Sequence, residues 1–468
     1  MKSELRKSKR EFFSPVDHLS ILGELEKACK IQSVTMSNEA RVSTGILCLD
    51  LVIGGGVTAG FTVIAGKEQS AKTTTAINIL ASSVKQNVQM RALFDAEGSS
   101  GSSGDYMESV FKSQGVESKM DTIFGSKVKG KYEETPLVYY QDDSSMDTFF
   151  NWLSGLLRRL PDKRFEDGAW WYVYEATPEN KTKFRGKLDL QMSRSNSAVY
   201  IPAEDGALQA IILLDSLPSL LPKSRDQDDP KSGMALQARE FSLNLPRVKG
   251  YLRSKRVALI ATNQIRTAPG VMYGDPSYEP CGEAIKFNSD VRLRNTPRAL
   301  SAVPYNPKGK GQYEEEESVT VEGGKDQYRY IHSKAIKNKL SVPNRETWLR
   351  LWVQDGNLEA RGFDPVWDVF YIMHLTGQLS GKRHSILLNV HGVGPAKKNL
   401  TWNDFKLLIL GTKGEKVDIC KRIGYRPMDL RKGMFKLMAN GTLEELYVSQ
   451  SKEKSKSKDT EEEEVEED

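Results

Sequence analysis

Four apolar runs mark the first 270 residues: "FTVIAG" at 61–66, "MRALFDAE" at 90–97, "AIILLDS" at 210–216 and "VALIATNQ" at 257–264. Each is too short for a buried helix, ends in small, polar or acidic residues and gives way to a loop, which predicts strands covered on both faces. Before and between them lie stretches with helical spacing, "ARVSTGILCLDL" and "TTAINILASSVKQ". This alternation predicts an α/β fold around a mainly parallel sheet. Near the N-terminus, "DHLSILGELEKACK" at 17–30 places Leu19, Leu22, Leu25 and Cys29 on one helical face, a short amphipathic helix outside the main domain.

Two stretches break the pattern. Residues from about 162 to 205, including "AWWYVYEAT" and "FRGKLDLQMSRSNSAVYIP", alternate as strands do and read as a β-rich insertion. Its Trp170, Trp171 and Tyr174 serve either as packing or as a docking or nucleic-acid surface. The stretch "PYNPKGKGQYEEEESVTVEGGKDQ" reads as a solvated hairpin region. Past residue 356 the chain turns helical, and "LLNVHGVGPAKKNL" then sets Gly392, Gly394 and Pro395 before Lys397 and Lys398. That spacing fits the hairpin of a helix-hairpin-helix, which grips a phosphate backbone, or an ordinary Gly-Pro turn.

Composition narrows the class. With 468 residues, 38% hydrophobic and 28% charged, the chain is globular rather than disordered. Its longest apolar run is broken by Asp215 and prolines, and "MKSELRKSKREFF" lacks the apolar block of a signal peptide, so a soluble protein of the bacterial or infected-cell cytoplasm, with no membrane partner, is expected. Cys29, Cys48, Cys281 and Cys420 show neither disulfide nor zinc spacing. The net charge of +5 hides an asymmetry, because residues 453–468 carry nine acids and three lysines. A basic body with an acidic tail suggests a polyanionic partner and a competitor for it, or else a tail that serves solubility.

The chemistry centres on "GKEQSAKTTT". It follows the strand "FTVIA" and opens a helix, the setting in which backbone N–H groups cradle phosphates. Gly66, Lys67, Glu68, Gln69, Ser70, Ala71, Lys72, Thr73 and Thr74 make up the candidate phosphate loop. Lys72 is placed to reach the β and γ oxygens of ATP and Thr73 to ligate Mg2+. Ala71 stands where this pattern has glycine. Asp215, ending "AIILLD", is a second candidate for the magnesium shell. Glu97, ending "LFDAE", is a candidate base for an attacking water, and Gln264 is an amide able to sense a γ-phosphate.

Together these segments resemble the bacterial RecA recombinase family. "LGELEKACKIQSVTM" is similar to its N-terminal polymerisation helix and strand, and "STGILCLDLVIGGGVTAG" to the segment before the loop. "DAE", "LLDSLPSLLP", "ALQARE", "NQIR", "GVMYGDP", "AIKF" and "KNKLSVP" follow in the family's order, over roughly residues 20 to 355 less the insertion. The resemblance implies a RecA-like P-loop core at 41–355, a polymerisation element at 1–40, a smaller C-terminal domain at 356–450 and a disordered acidic tail at 451–468. It implies a DNA-dependent ATPase that uses ATP and Mg2+, forms filaments on single-stranded DNA and exchanges strands with a homologous duplex in recombination and repair. Single-strand-binding and replication proteins would be further partners.

By the same resemblance Glu97 is the hydrolytic base, Gln264 the γ-phosphate sensor and Tyr106 the residue that stacks on adenine. The DNA loops are about Pro222–Gly233 and Arg266–Cys281, with Arg239, Arg266, Met272, Tyr273 and Gly282 at the bound strand. Lys337 and Lys339 reach the γ-phosphate of the neighbouring subunit, unless they simply guard a strand edge. The chain departs from the family where a glycine pair closes the second loop, having Cys281 and Gly282 there. A helicase-like ring motor and a non-hydrolysing DNA-binding filament protein are the alternatives.

Overall fold

The computed structural model describes residues 40–99, 104–116, 119–125, 127–128, 131–132, 134–222, 230–267, 277–298, 320–321, 324–354, 362–382 and 385–451. The expected N-terminal helix, Met272 and Tyr273, most of the first DNA loop, the boundary near residue 356 and the acidic tail lie outside the described residues. The chain divides into two compact units, residues 163–206 and residues 40–162 with 207–451.

The larger unit opens with helix α1 (Leu47–Ile53), shorter than the periodicity of 40–51 predicts. Gly45 has φ 80°, and the buried Asp50 carboxylate accepts from Ser43 Oγ and, at 2.8 Å, from Thr44 N, so a side-chain-bonded turn replaces the first helical turn. Strand β1 (Gly60–Gly66), helix α2 (Lys72–Ser83), strand β2 (Met90–Asp95), helix α3 (Gly104–Ser113), strand β3 (Tyr139–Asp142) and helix α4 (Met146–Arg159) follow. Ser145 caps α4 by accepting from Thr148 N, and Met146, Phe149, Phe150, Leu153 and Leu157 form its buried stripe.

The smaller unit is the insertion: β4 (Asp162–Glu166), β5 (Ala169–Glu175), the short helices α5 (Pro178–Lys183) and α6 (Leu190–Ser195), and β6 (Ala198–Ala203). Strands β4, β5 and β6 form one sheet, as the alternation predicts, and the two helices are an addition that it did not indicate.

The chain then supplies β7 (Ala210–Asp215), the long helix α7 (Pro230–Ser254), β8 (Val257–Gln264), a two-strand ribbon β9 (Arg266–Thr267) and β10 (Ser277–Tyr278), α8 (Glu283–Asn288) and β11 (Val291–Arg298). Strands β12 (Gly324–Asn338), β13 (Glu346–Gln354) and β14 (Gly362–Phe363) complete the sheet, whose order is β14-β13-β12-β11-β1-β8-β7-β2-β3. From β3 to β11 all neighbours are parallel; from β11 to β14 they are antiparallel.

Period-two alternation divides the parallel strands between two cores. Ile64, Leu93, Ile211, Leu213, Ala258 and Ile260 face one apolar layer, while Val63, Phe94, Ile212, Leu214, Leu259 and Ala261 face the other. The strands therefore lie under cover on both sides, which is why their sequences read as continuous apolar runs.

Helix α9 (Pro365–Leu375) buries Trp367 and Phe370 in the first of these cores. Its Asp368 carboxylate accepts from Leu47 N at 2.7 Å and Cys48 N at 2.9 Å, satisfying two of the orphan donors at the start of α1. Strands β15 (Leu379–Lys382), β16 (Ser385–Val390) and β17 (Gly394–Pro395) then form an antiparallel sheet. Gly392 and Gly394 thus lie in and beside the turn of a β-hairpin, not between helices. The helix-hairpin-helix reading is corrected: Ala396 N–H donates back to Leu388 O at 2.8 Å, extending strand pairing. Helices α10 (Trp402–Leu410), α11 (Lys413–Arg422) and α12 (Leu430–Ala439) follow. Among the described residues no helix is long and apolar enough to cross a membrane.

Candidate functional site

The phosphate loop joins the end of β1 to the start of α2. Two of its non-glycine residues have left-handed backbones, Gln69 and Ala71, both at φ 57°. Ala71 is the residue directly before the helix, and its positive φ accounts for a preference for glycine there. Ser70 Oγ and Lys72 Nζ each donate to Lys67 O at 2.7 Å, so the lysine folds back over its own loop. Lys67, Glu68 and Gln69 are exposed and Ser70 is buried. Burial lowers the Lys72 pKa, opposed by the charges of Asp215, Glu97 and Glu68.

Those carboxylates arrive by sheet register. Asp95 pairs with Asp215 across β2 and β7, and Ala96 N and Glu97 N both donate to Asp215 O, at 2.7 and 3.1 Å. Glu97 therefore emerges beside Asp215 at the carboxyl edge of the sheet. Asp215 is 1% exposed, and burial raises its pKa against hydrogen bonding from Thr262 and Thr73. Its Oδ1 accepts from Thr262 Oγ1, while Oδ2 is buried with no hydrogen bond of normal geometry. The Glu97 pKa is raised by burial, then by Asp215 and Asp95, with Lys72 pulling the other way. A carboxylate whose pKa is raised is a stronger proton acceptor than an ordinary one.

Gln264 pairs directly with Gly66, and Ile265 N donates to Gly66 O at 3.0 Å, so the amide ends its strand at the root of the phosphate loop. Two residues later begins the β9–β10 ribbon. It is tied to β11 by Arg292, which donates to Glu279 Oε1 at 2.5 Å, and by Arg294, which donates to Ser277 Oγ. Asn263 Nδ2 also donates to Glu279 Oε2, at 3.5 Å. One carboxylate therefore joins β8 and β11 to the segment that follows β10.

That base gathers the remaining described DNA candidates. Gly282, at φ 80°, lies so near α7 that an added Cβ would fall 2.9 Å from Ala238 Cβ, one residue before the exposed Arg239. Arg266 is exposed and its charge acts on Cys281. Cys281 is itself non-glycine at φ 74° and only 5% exposed. Tyr106, on α3, shares a hydrogen bond between its hydroxyl and Thr74 Oγ1, which sets the ring beside the phosphate helix.

Lys337 and Lys339 stand elsewhere. Lys339 N donates to Asp290 O, and Asp290 N to Phe61 O, so the pair sits toward the start of β1 whereas the phosphate loop leaves its end. Phe61 and Gly66 are separated by roughly 17 Å of strand. Lys337 Nζ donates to Lys286 O and, at 3.1 Å, to Phe287 O. Burial lowers its pKa, and Lys339, Lys249 and Arg292 lower it further.

Two side chains near the loop were missed by sequence reasoning. Thr262, which holds Asp215, is hidden inside an apolar run. Arg329 on β12 donates to Gln69 Oε1 at 3.1 Å from 260 residues away, a proximity with no local signal.

The chain is similar to known proteins. The RecA N-terminal domain family matches residues 199–356. Protein RecA of Thermus aquaticus is 26% identical over 360 residues, covering 76% of this chain and 78% of that protein. Protein RecA of Thermus thermophilus is 25% identical over 339 residues, 72% of each chain. Protein RecA of Aquifex aeolicus is 34% identical over 137 residues, 29% of this chain and 34% of that protein.

Proposed function

The chain is a divergent member of the RecA family, and from that premise we propose that it is an ATP-dependent recombinase that assembles on single-stranded DNA and exchanges strands with a homologous duplex. The carrying observation is the convergence at one sheet edge of Lys72, Thr73, Glu97, Asp215 and Gln264, with Gln264 in register with Gly66 and two residues before the ribbon at the base of the proposed second DNA loop.

In this reading the N–H groups of residues 66–74 and the Lys72 ammonium bind the triphosphate, and Tyr106 receives adenine. Thr73 and Asp215 would hold the magnesium ion that neutralises phosphate charge, a role suited to the buried, unpartnered Asp215 Oδ2 beside a hydroxyl. Glu97 takes the proton from the attacking water. Gln264 feels the γ-phosphate and passes its presence through Asn263 and Glu279 to the loop at 266–281, where Arg239, Arg266, Met272, Tyr273 and Gly282 meet the bound strand. Residues 1–40 pair subunits, 356–450 form the C-terminal domain, and the acidic tail competes with DNA for the basic body. The setting is the cytoplasm of a bacterium or of an infected cell.

The distance of Lys337 and Lys339 from their own phosphate loop supports completion of each site by a neighbour, whose two cations offset charge on the transferring phosphoryl group. Lys72→Ala should lower DNA-stimulated ATP turnover by at least about 100-fold and stop strand exchange; unchanged turnover refutes the assignment. Lys337→Ala with Lys339→Ala should bind nucleotide yet not hydrolyse it on DNA. Mixing that variant with Glu97→Gln should restore part of the turnover, because a Glu97→Gln neighbour with intact lysines completes the lysine variant's otherwise intact catalytic site. Electron microscopy with single-stranded DNA and an ATP analogue separates filaments from rings.

A further inference from the structure

The insertion takes no part in the chemistry above, yet it is folded around its own small core of Val173, Met192 and Tyr200. Beside that core α5, α6 and the start of β6 border a cavity of about 420 Å³ whose apolar lining includes Leu188, Leu190, Ala198 and Val199, and whose cations are Lys181 and Arg194. Leu190 is 60% exposed, unlike the other large apolar side chains described in this unit. Between residues 181 and 194 the chain carries Lys181, Lys183, Arg185, Lys187 and Arg194 against a single acid, Asp189. Asp189 is already committed, accepting from Met192 N at 2.8 Å as the cap of α6. Nearby, Asp205 pairs with Lys163 and Glu166 with Arg164.

We propose that this groove is a docking site for an acidic peptide, which seats one apolar side chain against Leu188, Leu190 and Val199 while its carboxylates meet Lys181 and Arg194. The cavity is large enough to accept one or two side chains. An apolar anchor surrounded by complementary charge is the arrangement that gives a small interface both affinity and selectivity. Nucleic acid is the poorer fit. The Phe184 ring, which could have stacked on a base, is engaged by Tyr174 at 4.5 Å between centroids and by the Lys183 ammonium at 5.1 Å. Trp171 spends its Nε1–H on Glu166 O at 3.0 Å.

The test uses the full-length protein and a fluorescein-labelled heptapeptide in which leucine and phenylalanine are flanked by aspartates and glutamates, followed by fluorescence anisotropy. Saturable binding that is weakened at least about tenfold by Lys181→Glu with Arg194→Glu, and similarly by Leu190→Asp, is expected. These side chains are exposed, so the variants should melt as the parent does. Replacing the two apolar residues of the peptide by serine should also abolish binding. Equal binding by parent and variants would place the peptide on another basic surface and overturn the proposal, as would equal binding of the serine peptide. Loss of single-stranded DNA affinity in the charge variants without any change in peptide binding would overturn it in favour of a nucleic-acid surface.

Discussion

Two loops of this protein hold non-glycine residues in left-handed backbones, Gln69 and Ala71 in one and Cys281 in the other, and Ala71 and Cys281 do so in different surroundings. Ala71, at φ 57°, is half-buried before the phosphate helix and contributes only a methyl group to the adjoining core. Cys281, at φ 74°, is buried in the opposite core and followed by Gly282 at φ 80° against Ala238. Strain of this kind costs about 1–2 kcal/mol per residue. At Ala71 nothing of similar size offsets it. At Cys281 the burial of the side chain does, so the first loop is strained on balance and the second is compensated.

The strongest way to break the comparison is to remove the one glycine that the second loop retains. Gly282→Ala puts a Cβ into Ala238 at a positive φ, and should destabilise by about 2–3 kcal/mol and impair DNA-stimulated turnover more than basal turnover. Thermal melts and the ratio of the two rates check this; a neutral outcome would mean that α7 and α8 separate freely.

Acidity distinguishes the loops next. The base proposed beside the phosphate loop, Glu97, acts when ionised, and its pKa is raised by burial and by Asp215. Turnover at saturating ATP should therefore be full above that raised pKa and fall as pH drops through it, on an acid limb above the ordinary glutamate value of about 4.3. The Cys281 thiol is pushed up to about 12 by burial, so Cys281→Ser should leave the profile unchanged near neutrality. An acid limb at the ordinary glutamate value would count against this environment for Glu97.

Ala71→Gly should relieve the first loop, raising stability by about 0.5–1 kcal/mol after the added flexibility of the unfolded glycine is deducted, and tightening nucleotide binding a few-fold. Calorimetry with and without nucleotide measures both. Cys281→Gly should change stability least, within about 1 kcal/mol of the parent, since the strain released is matched by lost apolar burial. Equal gains from the two glycine substitutions would erase the distinction between the loops.

The candidate phosphate loop was legible because its residues are contiguous: Gly66 ends one strand and Lys72 and Thr73 open the next helix. Asp215, Glu97 and Gln264 were legible as the ends of apolar runs, since a parallel sheet gathers strand ends at one edge. The first turn of the segment 40–51 was misjudged because Asp50 sits at a helical position while its carboxylate binds Ser43 and Thr44. The glycines near 392–394 looked like a phosphate-gripping turn, since a β-hairpin and a helical hairpin call for similar turn residues and only the flanking strand pairing separates them.

By itself the sequence determined the parallel strands and the strand-loop-helix setting of the candidate phosphate loop, because hydrophobic period and short-range motifs depend on neighbours in the chain. Tertiary structure alone decided that Thr262 would hold Asp215, that Arg329 would reach Gln69, and that Glu279 would bond Asn263 at the end of β8. It also set Lys337 and Lys339 far from their own phosphate loop. These are contacts between strands distant in sequence, fixed by sheet order and register, and a chain read one residue after another carries no local mark of which strand will lie beside which.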